Sequence, residues 1–202
     1  MQKLAAEFYG RGDVVQIAKD LLGKILVTKI DNVLTSGRIV ETEAYVGLTD
    51  RASHSYNGKR TARNEAMYGC AGSSYVYICY GMHQMFNVVT NAMDVPDAVL
   101  IRAVEPMKGI PTMLQRTGKT ALNHTLTKGP GNVGKALGLH KSHSGISLLG
   151  NRIYIADDGF ILPANQLGVS KRIGVQYAGP DALLPYRFYV KGNPYVSGRP
   201  TK

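Results

Sequence analysis

Apolar side chains recur at two different spacings along the chain, and these spacings predict its first elements. Residues 14–22 place apolar side chains at steps of three and four, which predicts a helix that ends at Gly23. The residues that follow are rich in β-branched and alternating apolar positions. They predict strands over residues 24–30 and 33–45, the second with a bulge near Gly37.

Short apolar runs separated by glycine, proline and polar residues continue to the end of the chain. The predicted strands are residues 75–80, 84–90, 98–104, 152–156, 169–173 and 187–190, and the predicted helices are residues 106–115 and 132–139. Pro106 is expected to begin the first of these helices, because proline is favoured at the first helical position. No repeat or composition shift divides residues 1–202, so we expect one α+β domain around a mainly antiparallel sheet.

The composition is that of a globular protein. Of 202 residues, 44% are hydrophobic and 19% are charged, which excludes a disordered or collagen-like chain. The chain has no run of 18 apolar residues, and its first residues lack the apolar stretch of a signal peptide, so no membrane association is expected. The two cysteines, Cys70 and Cys79, fit a reducing compartment.

The excess of basic residues adds a candidate partner. Lys and Arg number 24 against 14 acidic residues, which gives a net charge of +10. The imbalance is concentrated in residues 106–156, which contain seven basic residues and no Asp or Glu. A region of one sign favours a polyanionic partner, most simply nucleic acid. The alternative is a soluble basic protein without such a partner.

Two acidic residues stand in the predicted strand 33–45. Because side chains alternate between the faces of a strand, Ile39, Glu41, Glu43 and Tyr45 are predicted to share one face. In one interpretation both carboxylates lie in solvent at a sheet edge, since glutamate is usually exposed. In the other, a buried carboxylate acts as a general base, because burying a charge that has neither partner nor role is costly.

Aromatic residues and a histidine follow in the next forty residues. His54 lies in a polar loop, where a packing or surface role and a functional role are both open. Tyr75 and Tyr77 are predicted to face one way, whereas Tyr80 precedes Gly81 and is predicted to project outward at a bend. Tyrosine is common in core strands, but aromatic side chains near a basic region also provide surfaces on which bases stack.

Two stretches of the sequence resemble cofactor or metal motifs but do not fulfil them. Residues 129–134 fit the glycine pattern of dinucleotide-binding loops, but no apolar strand precedes them and no acidic residue follows at the required distance. Cys70, Cys79 and His83 lack the close paired spacing of a zinc site. We therefore expect neither an organic cofactor nor a metal.

Several short motifs keep a fixed order over nearly the whole chain. They are residues 37–45 (GRIVETEAY), 52–55 (ASHS), 75–78 (YVYI), 80–82 (YGM), 100–106 (LIRAVEP), 177–179 (YAG), 187–190 (RFYV) and 192–194 (GNP). In this order and spacing they closely resemble the alkyladenine (3-methyladenine) DNA glycosylase family. The resemblance implies a monofunctional base-excision repair enzyme without a cofactor, folded as one domain on a curved antiparallel sheet with peripheral helices.

The resemblance also implies which residues carry the chemistry. Glu43, rather than Glu41, matches the family's general base. Arg102 matches the residue that helps to hold the nucleophilic water. The walls of the base pocket match Tyr45, His54 and Tyr77.

Two further residues are matched to DNA recognition. Asn87 matches the residue at the pocket floor that screens purines, and Tyr80 matches the side chain that fills the gap left in the duplex. The implied partner is double-stranded DNA that contains alkylated or deaminated purines. A monomer is expected, in a bacterial cytoplasm at the nucleoid rather than in a nucleus.

Departures from the family pattern put substrate range and DNA affinity in question. Residues 67–72 lack a proline before glycine, and Tyr195 stands where tryptophan is common. Two other functions stay open. A non-catalytic DNA- or RNA-binding module of the same fold leaves Glu43 unexplained, since an acid repels phosphate. A glycosylase with lyase activity needs an amine nucleophile, and only Lys59 lies between residues 43 and 80.

Overall fold

Nine strands and four helices make up the computed structural model, which describes residues 1–198. The strands are β1 (Gln2–Lys3), β2 (Ile25–Ile30), β3 (Val33–Tyr45), β4 (Ser74–Cys79), β5 (His83–Thr90), β6 (Asp97–Lys108), β7 (Ile153–Asp157), β8 (Leu167–Ser170) and β9 (Arg187–Val190). The helices are α1 (Ala6–Tyr9), α2 (Val14–Asp20), α3 (Ile110–Thr117) and α4 (Pro130–Ala136).

All the strands join one antiparallel sheet. Its main order is β1-β7-β2-β3-β6-β5-β4, and β9 pairs with both β3 and β8. The long strand β3 is central, because β6 lies along one side of it while β2 and then β9 lie along the other. The predicted α+β class with a mainly antiparallel sheet is confirmed.

Helices α2, α3 and α4 pack against one face of the sheet. Their apolar side chains Ile17, Met113 and Val133 belong to a single core with that face. Helix α4 approaches β5 so closely that a Cβ added at Gly134 would lie 2.0 Å from the Gln84 carbonyl oxygen. The opposite face is therefore the one left open for a site.

Two opposed β-bulges lie at the centre of the sheet. The register between β3 and β6 shifts on both sides of Glu41, which pairs with Ala103. The shifts make Val40 the extra residue of β3 and Arg102 the extra residue of β6. A bulge redirects a side chain relative to the regular alternation, and Arg102 is redirected in this way towards the acidic residues of β3.

The bulge at Val40 corrects the predicted alternation. Ile39 packs in the core on the helix side, whereas Val40 packs on the opposite face with Tyr189. Ile39 therefore does not share a face with Glu43 and Tyr45, because one extra residue inverts the alternation before it.

The prediction that a helix begins at Pro106 is wrong. Pro106 lies inside β6 and pairs with Gly37 at another register shift, where Met107 is the extra residue. The bulge near Gly37 therefore lies in β6 and not, as predicted, in β3. Proline is tolerated there because a bulge interrupts the hydrogen-bond ladder. Helix α3 begins at Ile110, with Pro111 in its first turn, after Gly109 adopts a left-handed φ of 76°.

The strand predicted over residues 169–173 is displaced. Strand β8 ends at Ser170, and the chain then turns towards the open face with Arg172 buried. Most of the other predicted boundaries lie within three residues of the observed ones. Among residues 1–198, no helix is long and apolar enough to cross a membrane.

Candidate active site

A pocket lined by aromatic side chains opens on the face away from the helices. Strands β3, β4 and β5 provide part of its lining, and the loops around residues 52–54 and 177 provide the rest. Its polar and aromatic lining includes Tyr45, His54, Tyr75, Tyr77, Asn87 and Tyr177. All four residues predicted to bind the base, Tyr45, His54, Tyr77 and Asn87, therefore lie together around one cavity.

Glu43 lies behind the Tyr45 side of this pocket and is fully buried. Its Oε2 accepts from the Tyr45 hydroxyl at 2.9 Å and from Arg102 Nη1 at 3.1 Å. Its Oε1 accepts from the backbone N–H of Ile173 at 2.8 Å. A carboxylate offers about four acceptor positions, so three donors leave room for one more.

Glu41 is equally buried, and four donors engage its carboxylate, one more than engage Glu43. Its Oε1 accepts from Arg102 Nε at 2.9 Å, from Arg187 Nε at 2.7 Å and from the Ser197 hydroxyl at 2.9 Å. Its Oε2 accepts from the Ser197 backbone N–H at 2.6 Å. Both glutamates lie in a central strand with no exposed surface, so the interpretation as a solvated edge strand is wrong.

Arg102 joins the two carboxylates. Its third nitrogen, Nη2, donates to the Ser197 hydroxyl at 3.1 Å, so the whole guanidinium is fixed. Burial alone would lower the pKa of Arg102, but the Glu43 and Glu41 carboxylates outweigh it and hold the pKa above its ordinary value. The site therefore has a permanent positive charge beside Glu43.

The hydroxyl of Tyr45 is a fixed donor to Glu43. Burial, and then the Glu43 carboxylate, raise the pKa of Tyr45 well above its ordinary value, so the phenol stays protonated. The Arg172 guanidinium lies 4.7 Å from the centre of the Tyr45 ring. The ring is thus held at its hydroxyl by Glu43 and at its face by Arg172.

His54 belongs to an aromatic cluster in the pocket. Its Nδ1 is hydrogen-bonded to the Tyr75 hydroxyl at 2.8 Å, and its ring meets Tyr77 edge to face at 4.6 Å. Burial, assisted by the charges of Arg63 and Lys59, lowers the pKa of His54 to about 4. His54 is therefore a neutral pocket residue at physiological pH, and the surface interpretation is wrong.

Asn87 is held rigidly at the pocket. Its Nδ2 donates to the carbonyls of Tyr75 at 3.1 Å and Met85 at 3.3 Å, and its side chain is buried. These two acceptors fix which end of the amide is the nitrogen, so Oδ1 remains for the cavity. The strand pairing of β4 with β5 places Asn87 directly opposite Tyr75.

Tyr80 projects from the turn between β4 and β5, as predicted. It has a left-handed φ of 50°, next to Gly81 at 72°, and it is 86% exposed. A large aromatic side chain in this conformation is uncommon in a folded protein, and it keeps the ring away from the sheet. Met82, two residues on, is also 71% exposed.

Residues 172–181 form a segment of the site that had no predicted role, and we name it the strap. The Arg172 guanidinium is paired with the Asp50 carboxylate, both buried. The Asp181 carboxylate accepts from the Arg51 backbone N–H at 2.8 Å, and the Tyr177 hydroxyl donates to the Ala52 carbonyl at 3.1 Å. The strap is therefore fixed to the loop that carries His54.

Comparison with known proteins agrees with this geometry. Residues 7–194 match the family model described as "Methylpurine-DNA glycosylase (MPG)". A protein of Desulfitobacterium hafniense named "Putative 3-methyladenine DNA glycosylase" is 46% identical over 98% of this chain and 99% of its own. Proteins of the same name from Clostridium perfringens and Bacillus cytotoxicus are 41% and 42% identical, each over 96% of this chain and at least 98% of their own. The chain belongs to the methylpurine-DNA glycosylase family.

Proposed function

We propose that the protein is a 3-methyladenine DNA glycosylase that turns alkylated or deaminated purines out of duplex DNA and hydrolyses their N-glycosidic bond. One observation carries the proposal: a buried carboxylate with one acceptor position free, Glu43, lies directly behind an aromatic pocket. Four donors engage Glu41, two residues away, and none of them lines the pocket, whereas Tyr45 links Glu43 to it.

The reaction follows from this arrangement. A water molecule held by Glu43 and Arg102 attacks C1′ of the sugar, and the proton it loses passes to the Glu43 carboxylate. The bond between C1′ and the base nitrogen breaks, and its electron pair leaves with the base. The products are the free base and an abasic site with a hydroxyl at C1′. The negative charge of Glu43 also stabilises the positive charge that develops on the sugar.

The aromatic lining suits a flipped purine, particularly a charged one. Tyr75 and Tyr77 stack with ring centres 5.4 Å apart, and the His54 ring meets both of them edge to face. An alkylated purine carries positive charge, which aromatic faces attract. Such a base leaves as a neutral molecule, so the enzyme does not need to protonate it.

Neutral lesions such as hypoxanthine are harder to excise, because the base leaves as an anion unless it is protonated. The pocket offers them weak acids only. The pKa of His54 is lowered to about 4, mainly by burial, so near neutral pH it is not the imidazolium ion that could act as the acid. Burial raises the pKa values of Tyr75 and Tyr77. Alkylated purines are therefore the preferred substrates and hypoxanthine the slower one.

Base flipping brings the target atom to the pocket. Unstacking a nucleotide costs a few kcal/mol, and less for a damaged or mispaired base. The exposed Tyr80 ring offsets part of this cost by entering the gap in the duplex. The net charge of +10 supports binding to the phosphate backbone. We assign the activity to a monomer in the bacterial cytoplasm, at the nucleoid, in line with the bacterial relatives.

One experiment separates the candidate functions. The protein is incubated with duplex DNA that carries a single 7-methylguanine or hypoxanthine, and free base and strand breaks are both measured. The proposal expects free base, with breaks only after alkali. Breaks without alkali would indicate lyase activity, and tight DNA binding without free base would indicate a non-catalytic module.

A further inference from the structure

Tyr177 combines a place at the pocket with unusual exposure. It lines the same cavity as Tyr45, His54 and Tyr77, yet 70% of it is exposed. Tyr75, at the inner end of the same cavity, is 1% exposed. The Tyr177 ring therefore lies at the mouth of the pocket, where the inner walls meet solvent.

The ring is fixed in place before any ligand arrives. Its hydroxyl donates to the Ala52 carbonyl at 3.1 Å, and the strap that carries it is anchored by the buried pair of Arg172 and Asp50. A side chain that is already ordered loses little entropy when it makes a new contact. Most of the ring gains no burial in the free protein, so a ligand at the pocket mouth would bury apolar surface that is otherwise left in water.

A flipped nucleotide enters a pocket base first and remains joined to the DNA backbone at the mouth. The residue at the mouth therefore meets the sugar and the outer edge of the base. We infer that Tyr177 is a further substrate-contacting residue, whose ring packs against the flipped nucleotide at the mouth of the pocket. This inference rests on the proposed function. It adds a contact that the sequence motifs did not assign.

The test compares four purified proteins on duplex DNA with a single 7-methylguanine: the wild type, Tyr177→Ala, Tyr177→Phe and Leu183→Ala. Leu183 is the matched control, because it lies two residues beyond the strap, is 72% exposed and does not line the pocket. The measurements are the single-turnover rate of base release, the affinities for damaged and undamaged DNA, and the melting temperature.

Tyr177→Ala is expected to lower base release or the affinity for damaged DNA by about tenfold, the scale of one lost aromatic stacking contact. Its affinity for undamaged DNA should not change, and Tyr177→Phe, which restores the ring, should recover most of the loss. If Tyr177→Ala lowers the melting temperature, Tyr177→Leu provides the same test with the side-chain bulk retained.

Two results would overturn the inference. In the first, Tyr177→Ala behaves like Leu183→Ala. In the second, Tyr177→Phe loses as much activity or affinity as Tyr177→Ala, which would assign the effect to the hydrogen bond from the Tyr177 hydroxyl to the Ala52 carbonyl. In either case a wild type that releases base leaves the proposed function standing. A wild type that releases none contradicts the proposed function itself.

Discussion

Arg102 Nη1 lies 3.1 Å from Oε2 of Glu43, and this contact exists because of the two bulges at the centre of the sheet. The same guanidinium contacts Glu41 through Nε at 2.9 Å. One arginine thus ties a carboxylate with four donors to a carboxylate with three. Only Glu43 is linked through Tyr45 to the pocket, and on this basis we propose Glu43 rather than Glu41 as the general base.

Glu41→Gln is expected to act on stability. The substitution leaves the buried Arg187 guanidinium without its charge partner and leaves Arg102 with only one of its two, and breaking a buried ion pair typically costs about 3–5 kcal/mol. Urea denaturation should show a large fall in the free energy of unfolding. Lys24→Gln, which removes the partly exposed pair of Lys24 with Asp157, is the control and should cost less. Equal small losses would mean that Glu41 is not the anchor of the cluster.

Tyr80→Ala is expected to weaken binding to damaged DNA more than to undamaged DNA, because in the proposed mechanism the ring enters the duplex only after a base has left it. Loss of one stacking contact is worth about 1–3 kcal/mol, which is about five- to 150-fold in affinity. Ile161→Ala, at a residue 84% exposed elsewhere on the surface, is the matched control. Equal losses on the two DNA duplexes would refute the wedge role of Tyr80.

Asn87→Ala is expected to raise excision of mismatched guanine relative to hypoxanthine. By family resemblance the Asn87 amide faces the position where guanine carries its 2-amino group. Because two backbone carbonyls hold Nδ2, the amide cannot move aside to admit that group. The ratio of the two single-turnover rates measures the effect. An unchanged ratio in a variant with an unchanged melting temperature would show that Asn87 is purely structural.

The depressed pKa of His54 predicts a pH dependence of stability. The pKa falls from an ordinary value near 6.5 to about 4 on folding, mainly through burial, so the unfolded chain binds the proton more tightly than the folded one. The associated stability is complete above pH 6.5 and is lost as the pH falls towards 4. The melting temperature of His54→Gln should therefore depend less on pH in this window than that of the wild type. His124→Gln, at an exposed histidine outside the pocket, is the control, and identical profiles for all three proteins would contradict the assignment.

The sequence predicted which residues line the pocket more accurately than it predicted how they are arranged. Local alternation and turn residues located β3, β4 and β5. The family resemblance assigned Tyr45, His54 and Asn87 to one pocket, and the structure places all three around one cavity. The face of Ile39 was wrong because the bulge at Val40 depends on the pairing partner, which local sequence does not encode.

The part that residues 172–181 play in the site could not be predicted from the sequence for a similar reason. The Ile173 backbone N–H carries no side-chain signal, and the pair of Arg172 with Asp50 joins residues that are 122 positions apart. Only the folded chain brings them together. One signal was available for Tyr177, which lies within the matched motif at residues 177–179, although its position alone did not indicate a role.

Single-turnover base release by Glu43→Gln tests the central claim most directly. The variant keeps the shape of the side chain and removes its charge, so it cannot accept the proton from water. The account predicts a fall of about 10²–10⁴-fold in release of 7-methylguanine from duplex DNA, with binding to that DNA retained. The variant should stay folded and lose less stability than Glu41→Gln, because Arg102 keeps Glu41 as a charge partner. Base release by a folded Glu43→Gln protein at close to the wild-type rate would contradict the assignment of Glu43 as the general base.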